Sequence, residues 1–311
     1  MNDTAYDALR NRAAYIDLTG RGNIRATGAD RARLLHAMTT NHVEQLVPGT
    51  GCYAFFLTPQ GRILSDVNIY CMPDYILLDT EPGTKERVRE HLERFIIADD
   101  VTLEDFTDST AVINVEGPEA EKVMKDLGAP AAHMSYAIAE WGHALVAHNS
   151  FTGGPGYSVM LPVDGKADLT ARLAAAGIPQ AQLAEAEAVR LESGCPRYGL
   201  DFSESNIPHE TQLLHAVHSN KGCYLGQEIV ERVRSRGHVN RVLTQLEMDT
   251  QAVPARGTKV QAGDAAVGEI TSAAYSPELK RTIAFAIARA ESLQSALTVD
   301  GVSARVRRAK T

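Results

Sequence analysis

An ordered series of strand and helix patterns occurs twice in the first 240 residues of this chain. Residues 24–35 and 113–124 align without gaps, with Gly28 above Gly117. In each copy an alternating strand pattern precedes the glycine and a helical pattern follows it. A hairpin and a closing helix come next in both copies. The repeat therefore predicts two β-α-β-β-α units, each a split βαβ layer with its helices on one face.

The pattern of the chain changes after Asn240. Short alternating segments separated by turn residues replace the helices, which is typical of an all-β unit and most simply of a small barrel. The predicted strands are residues 242–248, 258–261, 267–272, 282–288 and 304–306. We therefore predict an α+β protein of three units, with limits at residues 1–108, 109–240 and 241–311.

The charge of the chain argues against some classes of partner. The 311 residues carry a formal net charge of −8, which does not favour nucleic acid or a membrane surface. The first 18 residues are polar and have the pattern of an amphipathic helix, without the apolar core of a signal peptide. No apolar run approaches the ~20 residues of a membrane span. We expect a cytoplasmic protein with neither a nucleic-acid nor a membrane partner.

The most distinctive local stretch is residues 221–228, KGCYLGQE, which we call the signature segment. Its two glycines permit a sharp turn and the close approach of another group. Gln227 and Glu228 open an apolar-periodic run, which predicts a helix with an acid in its first turn. Residues 221–241 contain five Lys or Arg and two Glu. This local net charge of +3 suits an anionic ligand or partner, although a solvated helix face is the commoner explanation.

The chain has four cysteines, and none forms a C-x-x-C pair, so we predict neither a zinc ribbon nor a disulfide framework. Cys223 lies in the signature segment, close in sequence to cationic residues that lower the pKa of a thiol. A thiolate there can ligate iron, exchange disulfides or be oxidised. The alternative is a small buried apolar residue in a turn. We interpret Cys52, Cys71 and Cys195 as packing residues.

Motifs along nearly the whole chain resemble those of one group of proteins. KGCYLGQE resembles the signature of the YgfZ family, folate-binding-like proteins of iron–sulfur maintenance that are relatives of the glycine-cleavage T protein. Four further segments resemble T-protein motifs: residues 51–66, 152–157, 190–199 and 268–277. The resemblance implies two ferredoxin-like layers and a β-barrel, which enclose a central channel where a tetrahydrofolate can bind.

The chain departs from the T-protein pattern at three positions. T proteins have two adjacent Asp residues where this chain has Ser65 and Asp66, and the first of the two is the catalytic one. The folate-contacting Glu and Arg of T proteins fall on Ser158 and Ala186. A serine has neither the charge nor the pKa of a carboxylate near neutral pH. We therefore expect no aminomethyl transfer by the T-protein route, and the same losses weaken folate binding in the T-protein pose.

The resemblance and the residue types together define a predicted site. The site consists of Cys223 as the catalytic residue and Tyr53, Asp66, Tyr157, Arg190 and Tyr224 as cofactor-binding residues. Asp66 can accept two hydrogen bonds from a pterin ring, but it can also be a strand-end residue that faces solvent. The three tyrosines offer rings for stacking, although each is also a common core residue. Arg190 and Glu192 are two apart on a helix, so we expect only one of them to face the channel.

Three functional hypotheses follow. The first is an accessory protein for iron–sulfur cluster assembly or repair, which uses a tetrahydrofolate and Cys223 and has iron–sulfur client proteins or assembly factors as partners. Because one thiol cannot hold a cluster that needs about four ligands, we predict no resident metal. The second is a folate-dependent aminomethyl or methyl transferase, for which Asp66 is the only nearby carboxylate. The third is a folate-binding regulatory or scaffold protein without chemistry.

Overall fold

The computed structural model describes residues 3–237 and 239–307. Eight α-helices are found in this part of the chain: α1 Asp3–Asn11, α2 Arg31–Met38, α3 Lys85–Glu93, α4 Ala120–Asp126, α5 Lys166–Ala175, α6 Leu183–Ser193, α7 Pro208–Thr211 and α8 Gln227–Arg236. The strands up to residue 181 are β1 Ala14–Asp17, β2 Gly22–Thr27, β3 Gly51–Leu57, β4 Ile63–Cys71, β5 Ile76–Thr80, β6 Thr102–Asp105, β7 Thr110–Glu116, β8 Ile138–Trp141, β9 Ala144–Ala147, β10 Gly156–Pro162 and β11 Gln180–Ala181. The later strands are β12 Arg241–Met248, β13 Lys259–Ala262, β14 Ala265–Ser276, β15 Arg281–Arg289, β16 Leu297–Val299 and β17 Val302–Val306.

The first sheet has the strand order β3-β4-β5-β2-β6, and neighbouring strands are antiparallel. Helices α2 and α3 cover one face, where Leu34, Leu35 and Leu92 pack against apolar strand residues. The other face turns towards the second sheet. The hairpin β3–β4, which the sequence predicts, is present with Phe55 opposite Asp66. The first sheet is thus a layer with its helices on one side.

The second sheet has the order β11-β1-β7-β10-β9-β8, with α4 and α5 on one face. Strand β1 was not predicted, because we expected residues 1–18 to form a single helix. Instead α1 ends at Asn11, and β1 pairs with β7 and β11. Ala14, Tyr15 and Ile16 are buried in succession, which suits a strand inside a sheet with both faces covered.

The repeat seen in the sequence has a counterpart in the backbone. Gly28 and Gly117, which follow β2 and β7, have positive φ angles of 100° and 117°. A Cβ atom at Gly28 would lie 2.0 Å from the carbonyl oxygen of Asp100, and one at Gly117 would lie 2.6 Å from that of Arg12. Only glycine combines this conformation with such a close backbone approach. The two units therefore share the same strand–glycine–helix junction.

The last six strands form a closed barrel in the order β12-β15-β14-β13-β16-β17. The barrel confirms the predicted α+β class with a C-terminal β-barrel, and it adds the short strand β16 to the predicted set. Its own core contains Leu246, Val260 and Ile270. A separate cluster joins Phe55 of the first sheet, Leu191 of α6 and Phe285 of the barrel. No helix in the described ranges is long and apolar enough to cross a membrane.

Candidate functional site

A polar cavity of about 130 Å³, partly open to solvent, lies where the two sheets meet the loop after α6. Strands β4 and β5 form one wall, and β7, β10 and the turn before β10 form the opposite wall. The polar or titratable side chains in the lining are Arg21, Tyr53, Asp66, Asn68, Asp79, Glu81, Asn114, Tyr136, Asn149, Ser150, Ser158, Cys195, Arg197 and His215. The resemblance implies a channel enclosed by both layers and the barrel, whereas the residues that line this cavity all precede the barrel. Of the six predicted site residues, the lining contains Tyr53 and Asp66.

The alternation of side chains along β4 decides which of its residues reach the cavity. Asp66 and Asn68 line it, whereas Val67 packs in the core below α2 and α3. Ser65 has the parity of Val67, is fully buried, and donates its hydroxyl to the carbonyl oxygen of Asp66 at 2.9 Å. The carboxylate that this strand presents to the cavity is therefore Asp66, and Ser65 is not part of the lining.

Asp66 combines burial with an unused hydrogen-bond acceptor. Its side chain is 8% exposed, and burial, with a contribution from Glu81, raises its pKa to about 7. The hydroxyl of Tyr53 donates to Oδ2 at 2.9 Å. Oδ1 is buried and has no hydrogen-bond partner among the described residues. Because a buried polar atom without a partner costs free energy, Oδ1 is suited to accept a hydrogen bond from a bound molecule.

Arginines neutralise the two other carboxylates of the lining. Arg21 binds Asp79 through Nε at 2.7 Å and Glu81 through Nη1 at 2.5 Å. Arg197 binds the second oxygen of Glu81 at 2.7 Å. Burial acts to raise the pKa of Glu81, but the two arginines outweigh burial and lower it. No ion pair in the described part of the chain reaches Asp66, so its charge is the one left for a ligand.

Arg190 does not line the cavity, although we predicted a cofactor contact there. It is fully buried, and its guanidinium binds Glu187 and Asp201 at 2.7 Å each. Nη1 also donates to the carbonyl oxygen of Cys195 at 2.6 Å. Glu187 also binds Arg197, which lines the cavity. Residues of alternating charge therefore connect the cavity wall with the barrel. Arg190 therefore positions the loop after α6 instead of facing the cavity.

The structure also places Tyr157 outside the cavity. Tyr157 packs in the core between the second sheet and its helices, where its hydroxyl donates to the carbonyl oxygen of Ala132 at 3.1 Å. Its ring stacks on His148 with the ring centroids 5.1 Å apart. The next residue on β10, Ser158, faces the cavity because side chains alternate along the strand. The sequence motif therefore pointed to the turn that borders the cavity, but not to which of the two neighbouring side chains on β10 faces it.

The signature segment is anchored to the end of α2. The Lys221 ammonium donates to the carbonyl oxygens of His36 and Thr39, and His36 Nε2 hydrogen-bonds the carbonyl oxygen of Lys221 at 2.7 Å. Burial lowers the pKa of Lys221 to about 8. A cation at this position satisfies carbonyl groups that the helix end leaves without partners. Lys221 is thus part of the anchor and does not reach the cavity.

Within this anchored segment, Cys223 is exposed and Tyr224 is buried. The Tyr224 ring packs with Val230 of α8 and Leu191 of α6, and the Lys221 ammonium lies 4.7 Å from its centroid. Tyr224 is therefore a core residue, away from the cavity where we expected it. Cys223 is also separate from the cavity lining. The structure does not bring the predicted catalytic thiol and the predicted ligand site together in one pocket.

Sequence reasoning missed several residues of the cavity. Cys195, interpreted as a packing residue, lines the cavity, and burial raises the pKa of its thiol to about 11. Tyr136 lines the cavity from a loop that had no sequence signal. Asp79 and Glu81 at the end of β5 carried the clearest overlooked signal, because charged residues at the end of an apolar strand need partners.

The rim of the cavity includes an aromatic pair. The exposed ring of His215 stacks on Tyr53, with centroids 5.6 Å apart and an interplanar angle of 29°. Asn41 holds this arrangement, because its Nδ2 donates to the carbonyl oxygens of Tyr53 at 2.8 Å and His215 at 3.1 Å. Within residues 3–237 and 239–307, no group of three or more His, Cys, Asp or Glu side chains is arranged to hold a metal.

Two helix-covered sheets with a polar cavity between them, together with a closed C-terminal barrel, define a class of three-part α+β proteins. Two protein-family models match this chain. The model of the GCVT N-terminal domain matches residues 3–221, and that of the glycine cleavage T-protein C-terminal barrel domain matches residues 241–310. The chain belongs to the glycine cleavage T-protein family.

Individual relatives agree with this assignment. An aminomethyltransferase of Rubrobacter xylanophilus is 30% identical over 288 residues, which cover 90% of this chain and 77% of that protein. A putative chloroplastic transferase of Arabidopsis thaliana is 29% identical over 87% of this chain and 64% of its own length. The fold is also that of a solved structure, the crystal structure of glycine cleavage system aminomethyltransferase T from Bartonella henselae. The two structures superpose with a TM-score of 0.91 at 18% sequence identity, and the match covers 98% of this chain and 88% of that chain.

Proposed function

We propose that this chain is a tetrahydrofolate-binding protein of the YgfZ type, which supports the assembly or repair of iron–sulfur clusters in client enzymes. The environment of Asp66 is the observation that supports folate binding. Asp66 lines the polar cavity, and its Oδ1 atom is buried and unpartnered among the described residues. A pterin ring has adjacent N–H groups that such a carboxylate can accept. Relatives named aminomethyltransferases support a folate as the ligand class.

The test of the ligand is a thermal shift with tetrahydrofolate. Ligand at a hundredfold excess over its dissociation constant adds about 2.7 kcal/mol to the free energy of unfolding. Asp66→Asn removes a charged hydrogen-bond acceptor that contributes about 1.5–3 kcal/mol, so we expect the affinity to fall about 10- to 150-fold. Asp126→Asn, an exposed change at the end of α4, is the matched control and should keep the full shift. Equal shifts in the Asp66 and Asp126 variants would overturn the assignment of Asp66.

The signature segment and its thiol support the accessory role. Cys223 is exposed although its neighbours Lys221 and Tyr224 are buried, so the fold holds the backbone on both sides and leaves this one side chain outside. An exposed thiol can react with a partner protein or share a cluster with one. We therefore assign Cys223 to chemistry between proteins, and the cavity to binding the folate.

The test of the accessory role uses cells that lack the chain. The activity of an iron–sulfur dehydratase in extracts should recover with the wild-type chain and should stay low with Cys223→Ser. Cys71→Ser, a half-buried cysteine elsewhere, is the matched control and should restore the activity. Recovery with Cys223→Ser, at equal protein levels, would remove the thiol from the proposal.

A second candidate function is folate-dependent one-carbon transfer, because the structure places Asp66 and not Ser65 in the cavity. A carboxyl group with a pKa of about 7 can exchange a proton with a folate nitrogen near neutral pH. The test is single-turnover formation of methylenetetrahydrofolate from an aminomethylated lipoyl carrier protein and tetrahydrofolate. Product that disappears with Asp66→Asn and persists with Cys223→Ser would favour transfer. Absence of product with the folate-bound wild type would favour the accessory role.

A further inference from the structure

Three side chains in the cavity lining have a buried polar atom without a hydrogen-bond partner among the described residues. These atoms are Asp66 Oδ1, Asn114 Oδ1 and Arg197 Nε. They come from three elements, because Asp66 lies on β4, Asn114 on β7 and Arg197 on the loop after α6. A buried polar atom without a partner costs free energy, so a ligand that pairs with all three is favoured. The lining therefore offers two acceptors and one donor to a ligand.

The alternation of side chains along β7 places Asn114 on the face that turns towards the first sheet. The residues on either side of it pack in the core beneath α4 and α5. Val112, which has the parity of Asn114, packs instead in one cluster with Leu77 of the first sheet. Asn114 is 3% exposed, and its partner on the neighbouring strand β10 is Ser158, which also lines the cavity. Asn114 thus belongs to the wall opposite Asp66.

Glu116 fixes the orientation of the Asn114 amide. The Glu116 side chain is fully buried, and Asn114 Nδ2 donates to its Oε1 at 2.9 Å. The other donors to this carboxylate are the backbone N–H groups of Phe151 and Thr152 and the hydroxyls of Ser150 and Thr152. A carboxylate surrounded by donors only accepts hydrogen bonds, so the amide nitrogen and not the amide oxygen must face it. Asn114 Oδ1 is therefore held as an acceptor for a ligand.

A pterin ring presents different hydrogen-bonding groups in its oxidised and tetrahydro forms. The 2-amino group and N3–H, on the pyrimidine ring, are donors in both forms, and the 4-oxo group is an acceptor in both. N5 and N8, on the other ring, carry hydrogens only in the tetrahydro form and are acceptors in the oxidised form. Acceptors on two opposite walls therefore match the tetrahydro ring, whereas the oxidised ring would place an acceptor nitrogen against Asn114 Oδ1.

We propose that this cavity selects the tetrahydro form of the pterin ring, and that Asn114 is the residue that distinguishes it from the oxidised form. Asn114 Oδ1 accepts a hydrogen bond from an N–H group that only the reduced ring has, while Asp66 accepts from the pyrimidine side. The 4-oxo group, present in both forms, accepts from Arg197 Nε. The inference rests on the proposed binding of a folate, and it adds the oxidation state of the ligand and the residue that recognises this state.

The test compares tetrahydrofolate with folic acid, which has the same side chain on an oxidised ring. Isothermal titration calorimetry under argon, with dithiothreitol to keep the reduced ligand intact, gives the dissociation constant of each. We expect the wild-type chain to bind tetrahydrofolate at least about tenfold more tightly than folic acid. Equal affinities of the wild-type chain for the two ligands would overturn the proposal without any variant.

Two variants of the lining should respond differently to the two ligands. Asn114→Ala should weaken the binding of tetrahydrofolate about tenfold and change that of folic acid by less than about threefold, because only the reduced ring donates to Asn114. Asp66→Asn should weaken both ligands alike, since the 2-amino group and N3–H occur in both rings. Asn11→Ala is the matched control and should keep both affinities, because Asn11 also donates its Nδ2 to a carboxylate, that of Asp7, but on the exposed surface of α1.

The outcomes separate this proposal from folate binding itself. A preference for tetrahydrofolate that survives in Asn114→Ala would come from the shape of the ring, and it would overturn the role of Asn114 while folate binding stands. Binding of neither ligand to the wild-type chain would overturn folate binding, and the selectivity with it. The ratio of the two dissociation constants is measured within one variant, so a partly folded preparation does not change it.

Discussion

Asp66 is held in the cavity at a cost in stability. Its carboxyl group has a pKa of about 7 in the folded chain, against about 3.9 for an unperturbed Asp, because burial disfavours the charged form. A pKa raised on folding gives stability that is complete below the unfolded value and is lost as the pH rises through the folded value. Between pH 4 and pH 7 the protein therefore loses part of its stability through this one residue.

Asp66→Asn should recover this loss. The amide keeps an acceptor for the hydroxyl of Tyr53 and carries no charge at any pH. We expect the gain in free energy of unfolding over wild type to be about 2 kcal/mol larger at pH 8 than at pH 5.5, measured by urea denaturation. Asp126→Asn should show no such difference. A gain that is equal at both pH values would mean that the carboxyl group titrates normally.

At the same scale, the sequence predicted two residues of the cavity lining, and the other four predicted site residues lie outside it. Tyr53 and Asp66 were found because a motif pointed to their hairpin. Tyr157 is one residue from Ser158, which lines the cavity, because side chains alternate along the strand. Tyr224 lies in the signature segment, which contributes no residue to the lining. Glu187 and Arg190 have a local helix spacing, but the pairing of Arg190 with Asp201 and of Arg197 with Glu81 is not visible in any local pattern.

At the scale of elements, the signature segment depends on its second glycine. Gly226 has a φ of 81°, and a Cβ there would lie 2.6 Å from the carbonyl oxygen of Thr58 in the β3–β4 turn. Gly222 has a similar φ of 92°, but a Cβ there would meet no atom within 4 Å. A comparison of the two glycines therefore distinguishes the cost of a positive φ angle from the cost of close packing.

Gly222→Ala and Gly226→Ala form a matched pair for this element. Gly222→Ala should cost about 1 kcal/mol, the strain of a positive φ alone. Gly226→Ala should cost about 1–3 kcal/mol more, because the segment must also move away from the hairpin turn. Urea denaturation gives both values. Equal losses in the free energy of unfolding would contradict the close packing of the signature segment against the β3–β4 turn.

The elements themselves were largely predictable, and the exceptions have a common cause. The two strand–glycine–helix junctions, the β3–β4 hairpin and the barrel all have strong local patterns. Strands β8 and β16, with four and three residues, were not predicted. Strand β1 follows α1 closely and takes its conformation from its partners in the second sheet. Short strands are defined by pairing, which a local pattern does not contain.

At the scale of the whole molecule, buried charges connect the three parts. Arg197 binds Glu81 of the first sheet and Glu187 of α6, and Glu187 binds Arg190. Asp201 then joins Arg190 to Thr271 and Ser272 of the barrel. A series of this kind is stabilising only when complete, because each missing charge leaves a buried partner uncompensated.

Arg197→Met should therefore lower the free energy of unfolding by about 2–4 kcal/mol, as Glu81 keeps Arg21 but Glu187 loses one of its two arginines. Arg89→Met removes an arginine that also pairs with two carboxylates, Glu86 and Glu93, but on an exposed helix face. This control should cost less than about 1 kcal/mol. Similar denaturation midpoints for the two variants would show that the buried series contributes no more than a surface pair.

Strand β1 lies between β11 and β7, and Tyr15 is 165 residues away from its neighbour Gln180. During translation at about 5–20 residues per second, β1 leaves the ribosome roughly 8–33 s before β11 exists to pair with it. For that time β1 lacks its β11 partner, and until β7 is made its residues Ala14, Tyr15 and Ile16, all buried in the finished fold, have neither neighbouring strand. Early association of trigger-type chaperones with this segment is the expected consequence, and the rate of translation sets how long the segment needs it.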